Sequence, residues 1–565
     1  MTPFQFRAGD TALQRLSADL ATAIRADLRG VGTLRVLDGM SAVSPGTDLI
    51  LTGTLIPAGS HVRVDASLNE GGSGEVSLPA VTAPAESLAA LADSLAWHVL
   101  RAIWQDGTPP APSLAAITTR SLPALRAYLD AENLISEGRW DEAPLAFARA
   151  ISADSTFWYA YWRYAYARGW SGSPVESIVV ARIVEHRDEL PLQDHRLIDA
   201  RLADSISTRI TITREVARDF PGYWPAWFDL ADLLSHQGPY LGTTQAQTRR
   251  ALERTLILQP GLAPAWQHAF WFAMLEMDTA SARHSVTMLQ ELRYDSLTAS
   301  RGGLDVLQYY RSLLQVARNG GSATRAVIDT ASLTLSRYRG SVPAAEFYAG
   351  YTTYGFPAAE IEIARASLAR GPSRTIATAN HRAIALAWAA RGAWDSALIA
   401  GTSRAAMTRD PEAALFIYRL AGVGAWLNGL EPQEALQLRP PVQQAAWGYS
   451  PEERAEFAWT DGILAAVLRD TARLTEARQR IRASEDLHAE ILDGSLRAFQ
   501  LFLNDSIAAA ARSMRSLERG YSQCDPALGG HHPFLAPINR LAAVPWLLAA
   551  GDTAGAAGLL RWHEA

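Results

Sequence analysis

Side chains able to do chemistry are thinly spread over this 565-residue chain. The densest group is CDPALGGHHPF, which brings Cys524, Asp525, His531 and His532 within one Gly-rich stretch. A thiolate, a carboxylate and imidazoles are all zinc ligands. Adjacent histidines rarely reach the same ion, however, and no second ligand motif stands nearby. The stretch is read as a loop between the last helical pairs, and no metal is assigned. Carboxylate pairs such as Asp229/Asp232 and Glu485/Asp486 could serve acid–base hydrolysis only if two carboxyls faced each other across a cleft. On helices such pairs are ordinarily exposed, and they are read so here. Glu185-His186 and Asp194-His195 fall near a helix end and are read as solvated. The sequence contains no HExxH, no GxSxG and no GxGxxG after a strand.

Absent residue types narrow the chemistry further. No lysine occurs, so all 52 basic residues are arginine. That removes the phosphate-loop lysine, the kinase strand lysine, the Ser-x-x-Lys pair and the lysine Schiff base. One cysteine, Cys524, removes an internal disulfide, a multi-cysteine zinc site and a CxxC redox pair. No catalytic residue and no cofactor is assigned, and a non-enzymatic chain is expected. A net charge of −6 provides no footprint for nucleic acid. The longest uncharged run, Thr255 to Leu275, carries Pro260, Gly261, Pro264, Gln267 and His268, which argues against a membrane span in this chain. No apolar core follows a basic start, so no signal peptide is read. The expectation is a soluble protein, cytoplasmic as it stands and extracytoplasmic if the chain is part of a receptor.

Residues 1–104 read as a small α/β module. Asp10 or Thr11 caps a helix with the stripe Leu13, Leu16, Leu20, Ile24 and Leu28, ended by Gly30. Leu34 to Leu37 is a short strand. Asp48 to Ile56 and His61 to Asn69 form a hairpin about a Pro57–Ser60 turn; Val62, Val64, Ala66 and Leu68 alternate along its second strand. Gly71 to Gly74 turns into a strand at Glu75 to Leu78, and Ser87 to Trp104 is a helix. The stretch LILTGTLIPAGSHVRVDASL, followed by a helix ending VLRAIW, resembles the TolB-like (FlgO-like) module that precedes helical repeats in bacterial regulators. That family opens with a V-A-V-L-P-F strand, whereas this chain opens MTPFQF. Either a shortened first strand or a start inside a longer protein is expected.

Residues 105–118 are rich in Pro, Gly and small residues and read as a linker. Residues 119–565 then read as a helical repeat solenoid. Its first hairpin runs from Leu125 to Trp170, with Ala143, Phe147 and Ala150 as the facing stripe. Six similar turns recur: Gly138-Arg-Trp-Asp, Met277-Asp-Thr-Ala, Gly392-Ala-Trp-Asp, Arg469-Asp-Thr-Ala, Asn504-Asp-Ser-Ile and Gly551-Asp-Thr-Ala. An Asp followed by Thr, Ser or a small residue can cap the second helix. Two repeats end at Pro221 and Pro260, each followed by a helix of the type WPAWFDLADLL. The small–aromatic–small stripe resembles helix B of a tetratricopeptide repeat. The fold class is therefore expected to be mainly α, a tetratricopeptide-like α-α superhelix behind a small α/β domain. Residues 300–375 fit least well and read as degenerate pairs.

The resemblance implies the sensory or protein-interaction arm of bacterial signalling systems such as serine/threonine kinases. Its register sends Tyr161 and Tyr164 into the core and places Tyr159, Trp162 and Tyr166 along a concave groove. Phe228 and Asp232 follow from the next matched repeat, and Gln267 and Trp271 from the one after. These seven residues are the candidate groove, set against the plainer reading that the rings pack between repeats. A protein or peptide partner is expected there. Two alternatives remain open: a carbohydrate-binding or carbohydrate-active helical toroid, and the carboxy-terminal part of a receptor kinase lacking its kinase domain.

Overall fold

The computed structural model describes residues 11–30, 49–70, 74–103, 119, 121–171, 173–203, 205–237, 243, 245–294, 306–337, 350–408, 411–440, 449–486, 488–518 and 534–564. The strand expected at Leu34, the linker at 105–118 and the Cys524–His532 stretch lie outside them. The chain is mainly α with one small antiparallel sheet. It divides into two compact units: Met1–Leu233 with Thr248–Ala269 and Thr287–Leu297, and Leu234–Gln247 with Phe270–Val286 and Thr298–Ala565. No described helix is long and apolar enough to cross a membrane.

The first unit begins with α1 (Thr11–Gly30), β1 (Leu49–Ala58), β2 (His61–Glu70), β3 (Gly74–Ser77), β4 (Val81–Pro84) and α2 (Leu88–Ile103). The five stripe residues of α1 are buried, as are Leu88, Leu91, Leu95 and Val99 of α2, which packs against α1. Strand β2 is the centre of the sheet. It pairs with β1 along its whole length, with β4 at its start and with β3 at its end. Val62, Val64, Ala66 and Leu68 all point inward, as the alternation requires. The hairpin is tighter than expected, because Ala58 pairs with His61 and only Gly59 and Ser60 turn. Gly59 makes this possible with φ +67°, a value that suits glycine. Strand β4 has no counterpart in the sequence reading. Four residues ending in proline are too short a run to show a period.

Helices follow in close succession. They are α3 (Leu122–Ser136), α4 (Ala143–Ala153), α5 (Trp158–Trp170), α6 (Ser177–His186), α7 (Leu192–Arg201), α8 (Ile206–Asp219), α9 (Trp224–His236), α10 (Gln245–Leu258), α11 (Ala263–Leu275) and α12 (Thr279–Glu291). The second unit continues with α13 (Val306–Arg318), α14 (Arg325–Arg337), α15 (Pro357–Ala369), α16 (Arg374–Ala390), α17 (Trp394–Thr408), α18 (Pro411–Trp426) and α19 (Pro432–Gln437). It ends with α20 (Pro451–Val467), α21 (Thr471–Arg482), α22 (Ala489–Leu503), α23 (Ile507–Ser516), α24 (Leu535–Ala549) and α25 (Thr553–Glu564). Neighbours in sequence pack against one another, among them α3 with α4, α16 with α17, α20 with α21 and α24 with α25. Ala143, Phe147 and Ala150 are fully buried, so the stripe read from sequence is the seam of its pair.

The six recurring turns share one backbone device. Each contains a left-handed residue: Gly138, Met277, Gly392, Arg469, Asp505 and Gly551, with φ between 55° and 82°. In every case that residue's N–H donates to the carbonyl three residues back, at 2.9–3.1 Å. The next N–H donates to the carbonyl five back, at 2.8–3.0 Å. This is the Schellman closure, which satisfies carbonyls that a helix end would otherwise leave unpaired. The residue after the corner then opens the following helix in three cases. Asp278, Asp470 and Asp552 each accept an N–H from that helix's first turn, at 3.0, 3.0 and 2.8 Å.

Candidate functional site

The expected groove residues of the first unit surround two buried carboxylates. Asp194, on α7, is 1% exposed, and its Oδ1 accepts from Trp162 Nε1 at 3.0 Å, from the Tyr159 hydroxyl at 3.3 Å and from the Tyr223 hydroxyl. Burial raises its carboxyl to about 6, against the pull of these donors and of the Arg163 charge. Asp229, on α9, accepts the Tyr166 hydroxyl at 3.0 Å and a fork from Arg201 at 2.9 and 3.1 Å. The Tyr166 ring lies between two guanidinium groups, Arg163 at 4.5 Å and Arg201 at 4.4 Å. Arg163 in turn grips Glu132 at 2.6 and 2.8 Å.

This arrangement corrects three points of the sequence reading. Asp194 and Asp229 are not solvated faces; they satisfy the polar tips of aromatic side chains inside the fold. Tyr161 and Tyr164, expected in the core, are half-buried, with hydroxyls directed to Ser155 and Glu176. Trp162, Tyr166 and Phe228, expected along the groove, are buried; Phe228 stacks on Trp170 with centroids 4.6 Å apart. The other candidates are half-buried. Tyr159 belongs to the Asp194 cluster. Asp232 sits 3.4 Å from His268 Nε2, and Gln267 accepts the Tyr294 hydroxyl at 3.0 Å. Trp271 is not gathered with these; in the second unit its indole N–H donates to the Tyr310 hydroxyl at 3.1 Å. Chemically, the first-unit cluster is a buried polar core that ties α3, α5, α7 and α9 together.

Among the described residues, the second unit holds a cavity of about 620 Å3. Helix α16 presents Ala379, Arg382, Ala383, Leu386, Ala389 and Ala390, a single face at helical spacing. Helix α18 presents Phe416, Arg419, Leu420, Val423 and Trp426 on the same pattern, with Leu427 just past its end, and the first half of α24 closes the wall with Pro537, Ile538 and Leu541. Four alanines on α16 make the room, while Trp394, Trp426, Phe416 and Phe534 give it aromatic walls. Arg382 lies 5.3 Å from the Phe416 ring centroid, and Arg419 lies 5.7 Å from that of Phe534. Arg419 also donates to both Glu456 oxygens, at 2.6 and 2.7 Å. Glu360 faces the cavity from α15, its Oε2 held by the Thr352 N–H at 2.6 Å and by the Thr352 hydroxyl. Burial lifts its carboxyl to about 8, so it is uncharged at neutral pH.

A second recess, of about 470 Å3, is polar and centred on an ion-paired carboxylate. Asp461 receives the Arg439 fork at 2.7 Å on each oxygen, together with Arg480 and the Tyr418 hydroxyl. Burial opposes the Asp461 charge, but these donors overcome it and hold the carboxyl below its ordinary value. Of these two cavities, the larger is the one with mainly apolar walls. Sequence reasoning missed its residues because the register was applied only at Trp158, Trp227 and Trp266. Ala379, Ala383 and Ala390 offered no signal of it, since small residues at helical spacing read equally well as tight packing. No known protein-family model matches the chain, and no curated protein sequence matches it either.

Proposed function

We propose that this protein is a non-catalytic interaction or sensory scaffold whose helical pairs hold a partner against the inner faces of α16 and α18. The observation that supports this most is the cavity, walled by one face of each of three helices and lined mainly by apolar side chains. Its charged side chains suit binding, since a guanidinium stays protonated and cannot act as a base near neutral pH. The lining holds a single carboxylic acid, Glu360, which argues against the carbohydrate-active alternative, since that calls for facing carboxylates. Reading the pairs as tetratricopeptide-like, the sheet module as TolB-like and the setting as bacterial signalling rests on the sequence resemblance.

The test is a peptide array probed with the full chain and with three variants. Leu386→Asp and Leu427→Asp place a charge in the cavity wall, whereas Ile399→Asp alters an exposed position on α17. Peptide binding lost in the two cavity variants and kept in Ile399→Asp is the expected result. Binding indifferent to all three, or turnover of a substrate by the purified chain, overturns the proposal.

A further inference from the structure

We infer that the second-unit cavity takes an uncharged, largely apolar carbonyl compound, its carbonyl oxygen set against the Glu360 carboxyl group and its hydrocarbon body among Trp394, Trp426, Phe416 and Phe534. The inference rests on the scaffold reading and names the class of small molecule that such a sensor would detect.

The arginine charges of the lining are already answered by the protein. Arg419 donates to both Glu456 oxygens, at 2.6 and 2.7 Å. Arg382 lies against the Phe416 ring and makes a further interaction of its own. An ionic ligand would have to break into these pairings and shed its hydration to enter mainly apolar walls. An uncharged body meets four aromatic side chains and the alanines of α16 without that cost. The volume lies within the range of small-ligand cavities.

One lining group has a bond left to make. Glu360 is 3% exposed, and among the described residues no ion pair reaches it. An ionised carboxylate without a cation is costly to bury, so the group is held as the neutral acid. The N–H and the hydroxyl of Thr352 both donate to Oε2, the N–H at 2.6 Å. Among the described residues no hydrogen bond reaches Oε1. That atom is not one of the fully enclosed polar atoms of the fold, so it opens on the cavity that Glu360 lines. With Oε2 accepting twice, the acid proton sits on Oε1, and Glu360 offers one O–H donor. A buried donor is costly until it finds an acceptor, and a carbonyl oxygen supplies one without bringing a charge.

Equilibrium dialysis of the full chain against benzophenone is the test, with diphenylmethane, which lacks the oxygen, as its partner probe. Both should bind saturably. Glu360→Leu should weaken benzophenone about tenfold, the worth of one hydrogen bond, and leave diphenylmethane unchanged. Glu360→Gln keeps an N–H donor in the same place and should hold benzophenone within about twofold of its native affinity. On the unaltered chain, the infrared carbonyl stretch of bound benzophenone should lie below its position in hexane, the mark of a hydrogen-bonded carbonyl. The charged analogues, para-benzoylbenzoate and para-benzoylbenzylammonium, should bind more weakly than benzophenone. No saturable binding of benzophenone, a bound carbonyl stretch at the hexane position, or tighter binding of either charged analogue overturns the inference. So does an equal loss of both neutral probes in Glu360→Leu with its helices intact by circular dichroism. If no probe binds while array peptides still depend on Leu386 and Leu427, this inference falls and the scaffold reading stands. If both fail, both fall.

Discussion

The indole of Trp394 rests on the backbone of Gly429, so closely that a β-carbon there would overlap its Nε1. Gly424 supports the same ring, and a β-carbon at that position would stand 2.8 Å from its Cε3. The two glycines seat a side chain that lines the cavity. Gly429→Ala must displace the indole, at a cost of about 1–3 kcal/mol for overpacking. Urea unfolding followed by tryptophan fluorescence reads this as a lower midpoint and a changed native spectrum. An unchanged midpoint would show that the indole does not rest there.

Three of the six helix-closing corners place an ordinary residue where glycine is favoured: Met277 at φ 58°, Arg469 at φ 58° and Asp505 at φ 55°. A left-handed L-residue costs about 1–2 kcal/mol, and glycine returns part of that gain through the greater freedom of its unfolded chain. Met277→Gly and Arg469→Gly should therefore each stabilise the protein by about 0.5–1 kcal/mol. The midpoint of urea denaturation should rise with its slope unchanged. In the opposite sense, Gly138→Ala should destabilise, because its φ is +75° and the new β-carbon would lie 3.1 Å from Pro264 Cγ.

Two buried carboxyls make stability depend on pH in the same direction. Burial lifts Glu360 from an ordinary 4.5 to about 8 and Asp194 from 3.8 to about 6. Each is therefore protonated in the folded state where the unfolded chain is ionised. The stability each contributes is complete below its unfolded value and is lost as pH rises through its folded value. Between pH 4.5 and 8 the Glu360 proton alone should lower stability by about 1.4 kcal/mol per pH unit. Glu360→Gln keeps an oxygen for both Thr352 donors and carries no proton to lose, so it should flatten this slope. Chemical denaturation across pH 5 to 8 decides it, and parallel slopes for the two proteins would contradict the assignment.

Asp229 joins Tyr166 and Arg201 inside the first unit. Asp229→Ala strands a buried guanidinium and should cost about 3–5 kcal/mol. Tyr166→Phe removes one hydrogen bond to a charged group and should cost about 1.5–3 kcal/mol. In the double variant the losses should fall short of their sum, because the two side chains share one bond. Strict additivity of the unfolding free energies would refute the coupling.

Periodicity carried most of the fold. The stripe of α1, the alternation of β2 and the Ala143–Phe147–Ala150 seam were legible because each repeats a burial direction at a regular interval. The six corners were legible as composition, although three of them do without glycine and depend on the backbone closure alone. What sequence could not show is which polar groups go inside. Asp194 and Asp229 look like surface residues until their partners arrive from helices about 30 to 60 positions away. The same limit reversed the exposure of Tyr161 and Trp162. A helix rich in aromatics on every side has no polar face from which to read its rotation. The cavity was hidden for a related reason, since empty space is lined by alanines that read equally well as tight packing.

The repeated corners also bear on how such a chain is made. Each closes its helix through two bonds that span no more than five residues, and each hands the chain directly to a neighbouring helix. Structure built from such short-range closures has low contact order and forms quickly. During synthesis the bonds of each corner can form as soon as it leaves the ribosome, whereas Tyr166 waits for Asp229, 63 positions on. An error at one corner then disturbs the adjoining pairs first.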